Sequence, residues 1–96
     1  MRLTLQGLQD KVSWEKSGIR LPKNDIAEMR KATAENPRWV HFGAGNIFRG
    51  FIAALQQNLL DDGIENTGII AAETFDYEII KKIYDPFDCL TLMVTL

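Results

Sequence analysis

Residues 39–51 of this chain read Trp39-Val40-His41-Phe42-Gly43-Ala44-Gly45-Asn46-Ile47-Phe48-Arg49-Gly50-Phe51. Residues 38–42 are β-prone and end at a Gly-Ala-Gly turn. Asn46 is a suitable N-cap for a helix over 47–60, which Asp61-Asp62-Gly63 ends. The apolar residues at helical spacing, predicted to form its inner face, are Ile47, Phe48, Phe51, Ile52, Leu55, Leu59 and Leu60. The stretch therefore predicts a strand, a glycine turn and a helix.

The chain beyond this helix continues the alternation. Ile69-Ile70-Ala71-Ala72 is apolar throughout, which predicts a strand buried on both faces. Asp76 can cap a following helix, and residues 89–96, which include Cys89, are predicted to form a buried strand. The order strand, helix, strand, helix, strand indicates an α/β fold. Its most economical form is the first βαβαβ half of a doubly wound parallel (Rossmann) sheet.

The chain before this stretch is predicted to be a helical lead-in over residues 1–37, with residues 38–96 forming the N-terminal half of a dinucleotide-binding domain. A first short amphipathic helix would use Leu5, Leu8 and Val12. A second helix is predicted over 25–35, with Asn24 as its N-cap. Its narrow inner face would consist of Ile26, Met29 and Thr33.

Composition narrows the class of protein. The chain has 96 residues, too few for more than one domain, and a net charge of −2, which does not favour a nucleic-acid partner. Its apolar runs are far shorter than the ~20 residues that cross a bilayer, and the polar residues among the first six lead us to expect no signal peptide. One cysteine supports neither an internal disulfide nor a multi-cysteine metal site, and no other metal-ligand spacing is present. We expect a cytoplasmic location, no membrane association and no metal.

The glycine turn carries the chemistry. Gly43 permits a tight turn after the strand, and Gly45 lets a pyrophosphate approach the main chain closely. The N–H groups and positive dipole end of the helix then face the anion. The predicted cofactor-binding residues of the turn are Gly43, Ala44, Gly45, Asn46 and Ile47. The alternative is a purely structural loop.

Glu73 at the end of the second strand extends the prediction to a ribose. It follows the turn at close to the ~20-residue spacing expected for the carboxylate that accepts ribose hydroxyls. That carboxylate would repel a 2′-phosphate, and the nearest lysine or arginine after it is Lys81. NAD is therefore favoured over NADP. The alternative is a solvated acid at a strand end.

Three neighbours of the turn have less decided roles. Arg49 could reach a phosphate or an adjoining substrate pocket, or be a surface arginine. His41 is predicted to be a packed histidine rather than a catalytic base. Phe48 stands where the dinucleotide-binding motif usually has its third glycine, so close contact between helix and strand is expected to use Gly50 instead.

The motif from Trp39 to Phe51 resembles that of the mannitol dehydrogenase family, which contains polyol dehydrogenases and sugar-acid reductases. Residues 21–25 are similar to the lead-in of that family and Ala72-Glu73 to its second strand end, so the resemblance covers about residues 20–96. It implies an NAD-dependent oxidoreductase that interconverts a polyol or a sugar-acid alcohol with its ketose. The family's catalytic Lys, with Asn and His, lies in a C-terminal domain. The resemblance therefore assigns no catalytic residue to these 96, and Phe48 leaves the small-molecule substrate open.

Two other functions compete with this interpretation. Three strands are half of a nucleotide fold and the last reaches Leu96 without a turn, so we expect a fragment of a longer chain, inactive by itself. Residues 39–42 would then present an apolar strand edge, which predicts self-association and a non-catalytic module. A methyltransferase that binds S-adenosylmethionine is disfavoured, because His41 and Phe42 stand where that class has an acid.

Overall fold

The computed structural model of the protein describes residues 1–94. They form two units, one made of Pro22–Phe75 and the other of Met1–Leu21 with the chain from Asp76 onward. The predicted division after residue 37 stays a prediction. The elements in chain order are a 3₁₀ turn (Gly7–Gln9), α1 (Lys11–Lys16), α2 (Ile26–Glu35), β1 (Val40–Phe42), a π turn (Phe48–Ile52) that continues into α3 (Ala53–Asp61), β2 (Ile70–Ala72), α4 (Tyr77–Ile79) that continues into a π turn (Ile80–Tyr84), and a 3₁₀ turn (Asp85–Phe87).

The helix α2 confirms the prediction over 25–35, but its cap is one residue later. The Asp25 carboxylate, not Asn24, accepts the Glu28 N–H at 3.1 Å. Asn24 instead accepts a hydrogen bond from the Gln57 side chain at 2.7 Å. Two adjacent residues were both suitable caps, and the extended backbone at Asp25 (ψ 107°) decides between them. The predicted inner face is confirmed, since Thr33 is buried and Ile26 and Met29 are half-buried.

The strands β1 and β2 pair in parallel, with Val40 opposite Ile70 and Phe42 opposite Ala72. A parallel pair whose connection contains a helix confirms the α/β class. The prediction that β2 is buried on both faces is wrong. Side chains alternate along a strand, so Val40, Phe42 and Ile70 share one face, and all three are exposed, Phe42 by 76%. A sheet of two strands, with one face left open, cannot bury both sides.

The helical stretch from Phe48 to Asp61 confirms the predicted helix, but only part of its predicted inner face. Phe48 and Leu60 are buried, whereas Ile47, Phe51 and Leu55 are exposed. Ile47 precedes the π turn, in which the Ala53 N–H bonds to the Phe48 carbonyl, five residues back, whereas Phe51 lies within this turn and Leu55 after it. A π turn shifts the helical phase, so a pattern of period 3.6 does not continue through it.

The third strand is not formed in the described residues. Residues 89–94 contain no strand, and Thr95 and Leu96 lie outside the described part of the chain. Asp88 and Cys89 have φ values of 50° and 59°, which turn the backbone into the left-handed region. The Cys89 N–H donates to the Tyr84 carbonyl at 2.9 Å, and Cys89 is exposed rather than buried. The strand propensity of the segment was therefore overridden by a turn at its start.

The N-terminal segment packs through a residue that the pattern did not select. The predicted Leu5/Leu8/Val12 face is wrong, because Leu5 and Val12 are exposed, whereas Trp14 is buried. The Trp14 indole N–H donates to the Gly7 carbonyl at 2.9 Å. Hydrogen bonds from Ser13 hold the pKa of the Asp10 carboxyl, the cap of α1, below its ordinary value. The helices found within residues 1–94 all lack the length and hydrophobicity of a membrane span.

One buried peptide group joins α2, α3 and β2. The Thr67 carbonyl accepts from the Gln56 side chain at 2.7 Å, and the Gly68 N–H donates to the Thr33 hydroxyl oxygen at 2.8 Å. The Thr33 hydroxyl donates in turn to the Met29 carbonyl at 2.7 Å. Both polar groups of the peptide are thus paired with side chains from two helices. This pairing fixes where the chain enters β2, and hence where β2 ends.

Candidate functional site

The glycine turn follows β1 directly. Gly43 has φ +107°, a conformation that favours glycine, and its N–H donates to the Ala72 carbonyl at 2.7 Å. That bond extends the pairing of β1 with β2 by one residue. It also places the turn at the carboxyl ends of both strands, the edge at which open α/β sheets bind ligands.

Ala44 is completely buried, and both of its main-chain polar groups are bonded to charged side chains. Its N–H donates to Glu73 Oε1 at 3.2 Å, and its carbonyl accepts from Arg49 Nη1 at 2.9 Å. The two side chains come from different elements: Arg49 from the π turn and Glu73 from the end of β2. The Ala44 peptide groups are therefore bonded to the Glu73 carboxylate on one side and to the Arg49 guanidinium on the other.

The residues from 45 to 47 begin the helical stretch. The Gly45 carbonyl accepts the Arg49 N–H at 3.1 Å, which is the first helical hydrogen bond, and Ile47 already has helical angles. The first N–H groups of a helix have no carbonyl one turn earlier, so they are directed out of its end. A Cβ placed on Gly45 would meet no atom within 4 Å. The main chain is thus open to close approach at Gly45.

Asn46 does not cap the helix. It already lies within the helical residues, and its side-chain oxygen accepts a hydrogen bond from Arg49 Nη2. The predicted cap is wrong because the helix begins one residue earlier than the pattern indicated. Asn46 therefore acts as a second acceptor for the Arg49 guanidinium.

Glu73 lies against the turn, as its position at a strand end predicted. Besides the Ala44 N–H, its carboxylate accepts the N–H groups of Thr74 and Phe75 through Oε2, at 3.0 and 3.3 Å. Three main-chain donors fix the orientation of the carboxylate. An ionised carboxylate is an acceptor-only group, which is the chemistry that binds hydroxyl donors.

Two residues under the turn form packing contacts. His41 lies on the opposite face of β1 from Phe42, and its ring centroid is 4.8 Å from that of the buried Phe48. Its Nδ1 is 3.0 Å from the Gly43 carbonyl oxygen. The expected role of Gly50 is wrong, because a Cβ there would meet no atom within 4 Å. Close contact between helix and strand depends on the His41–Phe48 ring pair instead.

The function of Arg49 was left open by its sequence position alone. The structure places its guanidinium on the turn, in contact with Ala44 and Asn46, rather than on a remote surface. A spacing signal exists, since an arginine one helical turn after Gly45 can reach back to the preceding carbonyl. That signal does not distinguish this contact from an outward-pointing side chain.

Comparison with known proteins finds a relative that aligns with the whole chain. The chain is 54% identical over 96 residues to the D-mannonate oxidoreductase of Thermotoga maritima. The alignment covers 100% of this chain and 18% of that relative. No family model matches the chain, and no solved structure matches it.

Proposed function

We propose that this chain binds the adenosine diphosphate part of NAD for a sugar-acid or polyol oxidoreductase. The alignment with the relative confirms, along the whole chain, the resemblance to the mannitol dehydrogenase family. The observation that supports this most strongly is the joint position of the glycine turn and Glu73. A Gly-x-Gly turn opens a helix at the carboxyl end of β1, and a carboxylate from the end of β2 lies against it. This pairing is typical of the start of a Rossmann fold, and we propose that β1, the helical stretch after the glycine turn and β2 are that start.

The residues present fit such a cofactor. Under this proposal the diphosphate accepts hydrogen bonds from the main chain at Gly45, Asn46 and Ile47, because Gly43 and Ala44 donate to Ala72 and Glu73. Gly43 and Ala44 instead shape the turn. The open space at Gly45 admits a phosphate, and the dipole of the helical stretch favours its negative charge.

Glu73 would bind the adenosine ribose. Its three main-chain donors keep the carboxylate at the edge of the turn, where ribose hydroxyls can donate to it. A 2′-phosphate would meet this negative charge, so the proposal specifies NAD rather than NADP.

The reaction is proposed from the relative. NAD supplies hydride transfer, and the substrate would be a sugar-acid alcohol or polyol that is interconverted with its ketose. The chain spans about a fifth of the length of the relative that it matches, and we assign no catalytic residue within it. Its role in the reaction is to bind and orient the cofactor.

Calorimetric titration tests the cofactor proposal. We expect NADH and ADP-ribose to bind with affinities within about threefold of each other, equal to about 0.6 kcal/mol, because both carry the adenosine diphosphate that the turn receives. S-adenosylmethionine lacks a diphosphate and should give no heat. If none of the three ligands gave a heat of binding, nucleotide binding would be contradicted. Binding of S-adenosylmethionine alone would favour a methyltransferase.

A second candidate function is self-association through β1. In a parallel pair, the residues whose N–H and carbonyl groups face away from the partner strand alternate with those that face it. On β1 the outward-facing residues are Val40 and Phe42, since β2 bonds to Trp39 and Gly43. Both are exposed, so an apolar strand edge is open to another strand.

Size-exclusion chromatography with light scattering tests this second function. We expect a dimer or larger species at high micromolar concentration. The variant Phe42→Lys, which places a charge on the open edge, should shift the protein to monomer. The change Ile64→Lys is a suitable control, because Ile64 is also exposed but lies on no strand. A wild-type monomer at that concentration would rule out assembly through the edge.

A further inference from the structure

We propose that Arg49 and Glu73 are a pair of positioning residues that hold the glycine turn in its ligand-receiving conformation through Ala44. The inference rests on the proposed function for its ligand and extends it to a residue outside the predicted site, Arg49. It also gives Glu73 a role apart from any ribose contact.

The main-chain groups of Ala44 are buried. No part of this residue is exposed, so water does not satisfy its N–H or carbonyl group. The side chains of Glu73 and Arg49 do so, at 3.2 and 2.9 Å. Hydrogen bonds to ionised groups are stronger than neutral ones, and a buried polar group that loses its partner is costly. The position of Ala44 therefore depends on both charges together.

The planar shape of the Arg49 guanidinium suits its two acceptors. Arg49 bonds to the Ala44 carbonyl and to the Asn46 side chain, which lie on either side of Gly45. A planar group with donors in a fixed fork can hold two acceptors at a set spacing, whereas a lysine ammonium is a single point charge. Arg49 thus fixes the residue at which the diphosphate is proposed to approach the main chain.

The two roles of Glu73 predict different effects when its carboxylate is removed. If Glu73 acts only through ribose hydroxyls, its loss affects only ligands that carry them. If it also holds Ala44, its loss weakens the binding of every diphosphate ligand. ADP and 2′,3′-dideoxy-ADP differ in those hydroxyls alone, so the pair of ligands distinguishes the two cases.

The test is calorimetric titration of both ligands into the wild type and into Glu73→Gln, Arg49→Gln, Arg49→Lys and the double variant Arg49→Gln/Glu73→Gln. We expect each single change to glutamine to weaken 2′,3′-dideoxy-ADP binding about tenfold. The loss of affinity in the double variant should be smaller than the product of the two single losses. Once one of the two hydrogen bonds to Ala44 is removed, removal of the other should have less effect on the turn. Arg49→Lys should resemble Arg49→Gln.

The controls remove the same charges from a remote ion pair in the same unit. Arg38 and Glu65 form an exposed salt bridge at 3.3 Å, so Arg38→Gln and Glu65→Gln should leave binding unchanged. The proposal would be overturned if Glu73→Gln bound 2′,3′-dideoxy-ADP like the wild type. It would also be overturned if the losses in the double variant were multiplicative, or if Arg49→Lys bound like the wild type.

A readout without ligand keeps this proposal separate from the cofactor proposal. Amide hydrogen exchange of Ala44, followed by NMR, should be about tenfold faster in Glu73→Gln and in Arg49→Gln than in the wild type. If the wild type binds no nucleotide but both variants accelerate this exchange, nucleotide binding is wrong and the positioning pair stands. If Arg49→Gln leaves the exchange rate unchanged, the positioning pair is wrong.

Discussion

The change Gly45→Val is expected to weaken ADP-ribose binding by roughly 100-fold or more, equal to about 2.7 kcal/mol of binding free energy. A Cβ at this position would meet no protein atom within 4 Å, and the φ of Gly45 lies outside the left-handed region. The fold should therefore accept the valine. The valine methyl groups would instead occupy the space through which a diphosphate is proposed to approach the main chain. Calorimetric titration measures the loss, and circular dichroism should show unchanged helix content.

The matched control for this prediction is Gly50→Val. Position 50 also has no protein atom within 4 Å of an added Cβ, but it lies within the π turn, one helical turn beyond Gly45. The same side chain is thus added to the same helical stretch, away from its open end. Gly50→Val should bind ADP-ribose like the wild type. Normal binding by Gly45→Val, or an equal loss in both variants, would show that the turn does not receive the diphosphate.

The change Thr33→Val is expected to lower the free energy of unfolding by about 1–3 kcal/mol. Valine has nearly the shape of threonine, so the packing of α2 is retained. The buried Gly68 N–H, however, loses the hydroxyl oxygen that accepts it at 2.8 Å. An unsatisfied buried donor costs more than the net value of the lost hydrogen bond. Urea denaturation followed by circular dichroism should show a lower midpoint with an unchanged slope.

The control for the threonine is Thr33→Ser, which keeps the hydroxyl and removes only a methyl group. It should retain most of the stability that Thr33→Val loses. If serine is as destabilising as valine, packing of the methyl group, and not the bond to Gly68, is what Thr33 contributes.

The predictions that the structure confirms depend on short stretches of chain. The helix over 25–35 and the helical stretch after the glycine turn follow from apolar spacing, and the parallel pairing of β1 with β2 follows from the order of elements. The approach of Glu73 to the turn follows as well, because the carboxyl ends of parallel strands meet at one edge of a sheet. The assignment of nucleotide contacts to Gly43–Ile47 and Glu73 stays a prediction.

The predictions that were wrong concerned a partner distant in the sequence, a local change of backbone conformation, or the exact residue at which a helix begins. The π turn rotates Phe51 and Leu55 away from the face that their spacing indicated. The left-handed backbone at Asp88 and Cys89 forms a turn at the start of the segment that its β propensity favoured as a strand. Asn24 and Asn46 were suitable caps by type, but a neighbouring residue begins each helix. Residue type alone does not resolve a boundary of one residue.

Short-range patterns in the chain established the order of helices and strands as far as β2, the position of the glycine turn after β1 and the acid that follows β2. The packing of helices and strands established that Arg49 and Glu73 meet at Ala44 and that Thr33 and Gln56 meet at the peptide of residues 67 and 68. Backbone propensity acts only over a few residues. The partner of a buried polar group is set by which distant side chain reaches it once helices and strands have packed.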